Sequence, residues 1–449
     1  MQTYTHYKES GIDWIGQIPE HWEIRRFKYL FNEINERSID GNEDLLSVSQ
    51  YTGVTKKSDK IDDGDLLTNA STLEGYKKVR KHQLVSNIML AWNGSLAFSE
   101  YNGITSPAYC IYELKHDDVY KYFHYLFKTD LYKSEFKRNS SGVIESRLRL
   151  YTDDFFSIWS VLPPIQEQEA IANFLDDKTA KIDALVQTKE QQIEKLKELR
   201  QAKIHQAVSK GIRCHAELVE ASSKTHALSK VEMKDSGVPW IGEIPAHWEV
   251  KRLKNVGEFI NGYAFNSESF LSEGIKVMKI SNIQTMKTDW SDLSCVDVKY
   301  FEALEKFRVL QGDLVFALTR PIISTGIKAT IVFENEKILI NQRNAILRTK
   351  GDFDIKWLYY IILDSSFIQE FDNQIDKTGQ QPNISTYNIG NISIPFPRKK
   401  DIEQIVTYLD EVTGKIDQAI TQKQVQITKL KEYKQSLINN VVKGKVKVC

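Results

Sequence analysis

From Ile171 to Leu196 the chain places a stripe of side chains at Ile171, Leu175, Lys178, Ile182, Leu185, Lys189, Ile193 and Leu196, a spacing of 4-3-4-3-4-4-3. The same phasing returns at Ile405, Leu409, Val412, Ile416, Ala419, Lys423, Ile427 and Leu430. A stripe of this period, flanked by charged and Gln-rich faces, predicts a helix with a coiled-coil seam. Pro163-Pro164 and Pro397 stand just upstream, where proline is tolerated at or before a helix start. No Pro or Gly interrupts 165–210, so a rod of about 45 residues would run about 67 Å at 1.5 Å per residue. The second rod contains Gly414, tolerable at roughly 1 kcal/mol against Ala.

Outside the rods the pattern shortens. Asp44–Ser49, Asn87–Trp92, Lys276–Ile280, Asp313–Leu318 and Ala329–Phe333 read as strands bounded by Gly, Asn, Asp or Ser. Lys121–Phe136 and Ile355–Phe371 read as aromatic-rich amphipathic helices. These regions are therefore mixed α/β, and the order of their strands cannot be read.

The chain also repeats itself. KESGIDWIGQIPEHWE at 8–23 returns as KDSGVPWIGEIPAHWE at 234–249, with Ser10, Gly11, Trp14, Ile15, Gly16, Ile18, Pro19, His21, Trp22 and Glu23 matched at an offset of 226. The segment beginning at Leu162 returns from Phe396 at an offset of 234, matching Pro163, Glu169, Ile171, Leu175, Asp176, Lys181, Ile182, Asp183, Ile193, Leu196 and Lys197. Between these frames, roughly 25–160 and 251–394 show little resemblance to each other. The organisation is motif, variable block, helix, twice over. Neither helix can bury its stripe alone, and the simplest partner is the other copy. An antiparallel pair would set the two blocks at opposite ends, related by a pseudo-twofold axis. The expected fold class is α+β: two mixed α/β domains at 1–161 and 234–395, joined by long helices at 162–212 and 396–449. Residues 213–233 form a polar link.

Composition changes this picture little. Hydrophobic content of 41% and charged content of 27% are ordinary for a soluble globular protein. No apolar run approaches the roughly 20 residues needed to span a bilayer, and the N-terminus lacks the pattern of a secretory signal. Cys110, Cys214, Cys295 and Cys449 are scattered without metal-ligand spacing or a disulfide framework, so a reducing cytoplasm is the expected location. Net charge is zero, 60 Lys+Arg against 60 Asp+Glu, which argues against coating nucleic acid by charge alone. A basic groove balanced by acidic surface elsewhere stays open.

The two motifs WIGQIPEHWE at 14–23 and WIGEIPAHWE at 240–249 each precede a block, and LPPIQEQEAI at 162–171 and PFPRKKDIEQI at 395–405 follow them. In this arrangement the chain resembles the specificity subunits of type I restriction-modification systems, over nearly its whole length. One departure is Arg398-Lys399-Lys400 where the first copy has Pro164-Ile165-Gln166. The resemblance implies that each block is a target-recognition domain reading one half of a split, asymmetric site in double-stranded DNA. It implies that the helices measure the unread spacer and dock two methyltransferase subunits, with a motor-nuclease subunit joining in restriction complexes. It implies no catalysis and no bound cofactor in this chain, S-adenosylmethionine belonging to the methyltransferase, and no membrane.

Base readers are expected among Arg, Lys, Asn, Gln and Ser/Thr on loops, with aromatics to stack or wedge. In the first block the candidates are Ser49, Gln50, Tyr51, Lys56, Lys57, Tyr76, Lys77, Arg147 and Arg149. In the second they are Tyr263, Arg320, Asn341, Gln342, Arg343, Gln380, Gln381 and Asn383. The bland reading of any one is a solvated loop residue. Ile171, Leu175, Ile182, Ile193, Leu196, Ile405, Leu409, Ile416, Ile427 and Leu430 are the candidate packing surface, against each other and against a partner subunit. The repeated tryptophans read as structural clamps of block onto rod rather than as DNA stackers. Asp62-Asp63-Gly64-Asp65 reads as a turn rather than a metal site. No phosphate-binding glycine loop, zinc-protease motif, paired C-x-x-C or amino-methyltransferase motif is present. The rival from another class is a coiled-coil adaptor with two protein-binding heads, which leaves unexplained why the heads diverged inside duplicated frames.

Overall fold

The computed structural model describes residues 2–60, 72–116, 119–144, 147–212, 232–351 and 353–448. The acidic run at 62–65 and most of the link at 213–233 lie outside these residues. The chain divides into two compact units, Met1–Glu190 with Gln424–Cys449, and Gln191–Lys423. Each unit thus combines one block with the start of its own helix and the end of the other.

In the first unit, strands Tyr7–Glu9 and Gln17–Pro19 pair antiparallel, and Glu23–Arg26 pairs with Trp159–Leu162. The block between them carries an antiparallel four-stranded sheet in the order Phe31–Ile34, Cys110–Leu114, Leu84–Ser86, Leu96–Phe98. Its core is aromatic: Phe27, Phe31, Phe123, Tyr132, Phe136 and Phe155 are all buried, and the rings of Phe27 and Phe155 lie 4.8 Å apart.

The second unit repeats this construction. Met233–Asp235 pairs with Glu243–Pro245, and Glu249–Arg252 with Ser393–Phe396. The main sheet runs Gly257–Asn261, Asn344–Thr349, Leu314–Ala317, Ala329–Ile331, again antiparallel and in the same chain order. A further sheet, in the order Cys295–Val296, Ile275–Met278, Ile338–Ile340, Arg308–Val309, is added. Blocks without visible sequence likeness share one scaffold. The core here is more aliphatic: Leu347, Ile361 and Ile389 belong to one cluster with Trp357, and Ile346 to a second with Val315 and Ile340.

Several expected elements shift. Asn87–Trp92 is not a strand: Met89 N–H bonds the Asn87 side chain, Leu90 N–H returns to the Asn87 carbonyl, and a short 3-10 turn follows at Ala91–Asn93. The expected helix at 121–136 is two, Tyr120–Phe127 and Asp130–Arg138, because Thr129 caps the second by accepting from Tyr132 N–H. That at 355–371 is likewise split into Ile355–Leu363 and Ser365–Asn373 by Asp364, which accepts from Ser366 and Phe367 N–H. Side-chain acceptors at helix starts outweigh a continuous apolar stripe here. Leu162 and Phe396 close strands, and the long helices run Ile165–Lys210 and Lys399–Val442.

Within each unit the helix segments are antiparallel. Asp183 pairs with Lys434 at 2.6 Å and Lys189 with Gln426 at 2.7 Å in the first unit. Gln192 meets Lys423 at 2.6 Å and Arg200 meets Asp417 at 3.0 Å in the second. The seam drifts from the expected register. Leu185 is 51% exposed while Val186 is buried, and Thr413 is buried where Val412 was expected. Straight helices of 3.6 residues per turn drift against a 3.5 repeat.

One tie is peculiar to the second unit. His205 Nδ1 lies 2.9 Å from the carboxylate of buried Asp364. The bond to Asp364 raises the His205 pKa above its ordinary value, against the opposing effect of burial. Its stabilising contribution is then complete below the ordinary histidine value and is lost as pH climbs through the raised one. Thermal melts of wild type and His205→Gln should differ most below the ordinary histidine value and draw together as pH rises past the raised one. A difference independent of pH would mean that the pair is not ionic.

Candidate nucleic-acid interface

Each block is bound to the helix ends by the same few contacts. Trp22 is fully buried and donates to Glu167 at 2.9 Å, where Tyr4 also donates at 2.9 Å and His21 meets the other carboxylate oxygen. Burial opposes the charge on Glu167, but the bonds from Trp22, His21 and Tyr4 hold its pKa below the usual value. In the second unit His247 sits 2.9 Å from Asp401 beside buried Trp248. The opposite helix end closes on each tryptophan through a glycine: a Cβ at Gly444 would come within 2.5 Å of Pro19 and 3.1 Å of Trp22, and one at Gly211 within 3.3 Å of Trp248. A second tie repeats as faithfully. Lys121 and Tyr125 both bond Asp176 at 2.6 Å, and Lys356 and Tyr360 bond Asp410 at 2.7 and 2.5 Å. Lys-x-x-x-Tyr in both blocks was the available signal for this tie.

Of the seam residues, Ile171, Leu175, Ile182, Ile193, Ile405, Leu409, Ile416 and Ile427 are buried, and Leu196 and Leu430 half-buried, against the chain's own packing. The stripe is internal. Covered side chains have no surface left to offer a partner.

The candidates of the first block fall in three places. Ser49, Gln50 and Tyr51 form the tip of the hairpin Leu46–Ser49/Gly53–Lys56, with Tyr51 87% exposed. They line an open cleft whose other wall carries Lys128, Lys133, Lys431 and Lys434. Those lysines were not anticipated; they lie between recognisable motifs or within the charged faces of the rod. Lys56 and Lys57 lie at the hairpin's base, Lys56 paired with Asp44 at 2.7 Å. Tyr76 is half-buried, and Lys77 is buried with Glu33 at 3.8 Å. The ammonium of Lys77 already has a carboxylate and little surface, so it serves the fold. Arg147 and Arg149 belong to a third segment, bridged from Arg149 to Ser141.

The candidates of the second block converge. Thr319 bridges Asn383, Arg320 N–H bonds the Pro382 carbonyl at 2.8 Å, and Ile384 N–H bonds Leu318 at 2.9 Å. Leu318 N–H bonds the Arg343 carbonyl at 2.9 Å, and Tyr263 bridges Asn341, with Gln342 N–H bonding the Tyr263 carbonyl at 2.9 Å. Three loops thus lie side by side at one end of the sheet: 318–321, 341–343 with the segment that follows Gly257–Asn261, and 376–384. Gln342, Arg343, Gln380, Arg320 and Asn383 are exposed, and Tyr263, Asn341 and Gln381 are half-buried. The crossing of Tyr263 over Asn341 depends on Gly262, where a Cβ would lie 2.0 Å from the Asn341 carbonyl oxygen. Among the described residues no cluster of His, Cys, Asp or Glu could hold a metal, and no helix is long and apolar enough to cross a membrane.

The first block has loops in the same positions. Leu150 N–H bonds the Ile88 carbonyl at 3.0 Å, matching Ile384 to Leu318. By this register Arg149 stands where Asn383 stands; past Ile88 the first block turns differently, Leu90 N–H bonding the Asn87 carbonyl where Arg320 N–H bonds Pro382.

The profile described as "Type I restriction modification DNA specificity domain" matches residues 19–195 and again 245–429. The chain belongs to that family. It is a DNA-binding specificity subunit and non-catalytic. Among relatives, the specificity subunit of the type I restriction enzyme MjaVIII from Methanocaldococcus jannaschii is 26% identical over 98% of this chain and 97% of its own length. That of EcoAI from Escherichia coli is 31% identical over 38% of this chain and 29% of its own length. Of solved structures, one from work on the complex assembly and conformational transition of the type I R-M system superposes with a TM-score of 0.68. It covers 96% of this chain and 99% of that one at 14% identity. The HsdS subunit from Thermoanaerobacter tengcongensis gives 0.53, covering 96% and 98%, also at 14% identity. At such identity the two structures speak for the fold of the specificity subunit, not for its loops.

Replacing Gly262 by Ala in the specificity subunit should push the Asn341–Arg343 turn away from Tyr263. Overpacking of this kind costs about 1–3 kcal/mol. Denaturant unfolding should show that loss in the second unit, and a variant as stable as wild type would mean that the crossing relaxes without strain.

Proposed function

We propose that the two blocks read the two halves of a bipartite, asymmetric site in double-stranded DNA, and that the paired helices set the length of the unread spacer. One observation carries this reading. Two sheets of identical strand order, held in similar frames, end in loops that differ in side chain and in path: Arg149 stands against Asn383, and Leu90 turns back to Asn87 where Arg320 bonds Pro382. A reader needs a fixed scaffold and changeable contacts, since phosphate contacts position a protein while base contacts specify the sequence. A site read by two different surfaces has no reason to be palindromic.

In this proposal two methyltransferase subunits dock on the outer faces of the helices and the duplicated frames, and a motor-nuclease subunit completes a restriction complex. S-adenosylmethionine belongs to the methyltransferase. This chain supplies no catalytic group; it brings the target base to the enzyme by fixing where the duplex lies.

Exchanging residues 251–394 for the equivalent block of a relative, with Pro245, Trp248 and Pro397 retained, should change one half of the methylated sequence. The other half and the spacer should stay as they were. Sequencing of methylated genomic DNA reads the result, and alteration of both halves would contradict modular reading. Inserting four residues after Lys189 adds about 6 Å of helix, close to two base-pair steps. The tolerated spacer should then change or methylation should cease. An unchanged spacer would show that the helices are not the ruler.

A further inference from the structure

In the converging loops of the second block, Arg320 has a φ of +49°, in the left-handed region that side chains other than those of Gly, Asn and Asp enter at a cost. The backbone around it leaves no choice. Thr319 Oγ1 bonds the Asn383 side chain at 2.6 Å, Arg320 N–H bonds Pro382, and Lys328 N–H bonds the Pro321 carbonyl at 2.7 Å. Glycine or asparagine would hold the same turn with less strain, so the fold itself does not ask for arginine. Nor does the side chain serve packing. It is exposed and has no hydrogen bond or ion pair among the described residues. The nearby acid of the 376–384 loop is engaged elsewhere: Asp376 accepts from the Thr378 N–H and hydroxyl at 2.9 and 2.6 Å.

We propose that Arg320 reads a guanine in the half-site recognised by this block, its guanidinium donating two hydrogen bonds to N7 and O6 in the major groove. The inference rests on the DNA-reading function proposed above and names one of its contacts. A phosphate can be met by any nearby cation on a mobile stem. A two-bond contact to one base edge needs the planar fork set at a fixed place and angle, which a backbone held at both flanks supplies. Strain kept at a position where the fold gains nothing from the side chain is what a functional constraint would leave behind.

The test uses the full chain in complex with its methyltransferase. Synthetic duplexes with each base pair of the mapped site replaced in turn are bound and methylated by wild type, R320G, R320N and R320K. R320G should melt no lower than wild type, since glycine is at ease in this turn. It should lose roughly 10- to 100-fold of the discrimination at one G·C pair of the second half-site, with the first half-site and spacer untouched. R320N, which also tolerates the turn, should behave alike, and R320K should fail to restore the preference because an ammonium has no fork. Discrimination unchanged at every position overturns the assignment. So does uniform weakening on all duplexes with a shallower salt dependence, the signature of a phosphate contact, and so does a lowered melting temperature in both R320G and R320N. The 251–394 exchange separates this inference from its foundation. If the exchange rewrites the second half-site while the Arg320 variants do not, the residue assignment alone falls. If neither changes the methylated sequence, both fall.

Discussion

Either unit is held together by a buried indole gripped between two helix ends that are far apart in sequence. Trp22 meets Glu167 at the start of one helix and Gly444 beyond the end of the other; Trp248 lies beside the His247–Asp401 pair, with Gly211 closing on it. An aromatic ring of this size removes on the order of 200 Å² from water. The two glycines allow the approach, since each has positive φ and a side chain there would strike proline or tryptophan. With Lys121 and Tyr125 on Asp176, and their counterparts on Asp410, a block is tied to the rod at separate points along its own helix. Ties of this kind remove freedom of the block within its unit, and precise placement of side chains on a duplex needs that.

Much of this was legible from the sequence because repetition is a form of internal evidence. Trp14, Trp22, Pro19 and Asp176 stood out by recurring, and the heptad-like stripe announced the rods. Legibility ended where local chemistry overrode pattern. Thr129 and Asp364 break what looked like single helices, because a capping side chain satisfies orphan N–H groups that an apolar stripe does not. Leu185 looked like a seam residue but lies outside, since a straight helix drifts against a seven-residue count over several turns. The shared sheet of the two blocks was invisible for a different reason. Strand pairing is set by contacts between distant segments, and the two cores are filled differently, with clustered Phe and Tyr in one and Ile and Leu around Trp357 in the other.

How the candidate residues group in space was legible in part and unevenly. In the second block the chosen loops do converge, because turn-forming Gly, Pro, Asn and Gln cluster where strands end, and strands ending on one side of a sheet bring their loops together. In the first block residue type alone misled, since a lysine on a strand can be a counter-ion for the fold. Lys77 answers Glu33, and Lys56 answers Asp44. The lysines facing the Ser49–Tyr51 tip have no common signal in the sequence, because they are spread from 128 to 434 and only folding brings them to one cleft.

Within the neutral total charge the cations are divided between two surroundings. Cations with a carboxylate at hand, such as Lys434 on Asp183 and Arg348 on Asp313, hold elements together and contribute little net field. Arg320 and Arg343 have no such partner among the described residues and stand at the end of a sheet where loops meet. Because a phosphate or base edge would not have to displace an acid from them, a chain of zero net charge can still present local positive surface to DNA. Low overall charge also limits binding to sequence-unrelated duplex, which scales with the number of phosphates neutralised. A subunit whose task is to discriminate gains from that restraint, because a cation held at a fixed place in a loop acts by geometry rather than by bulk attraction.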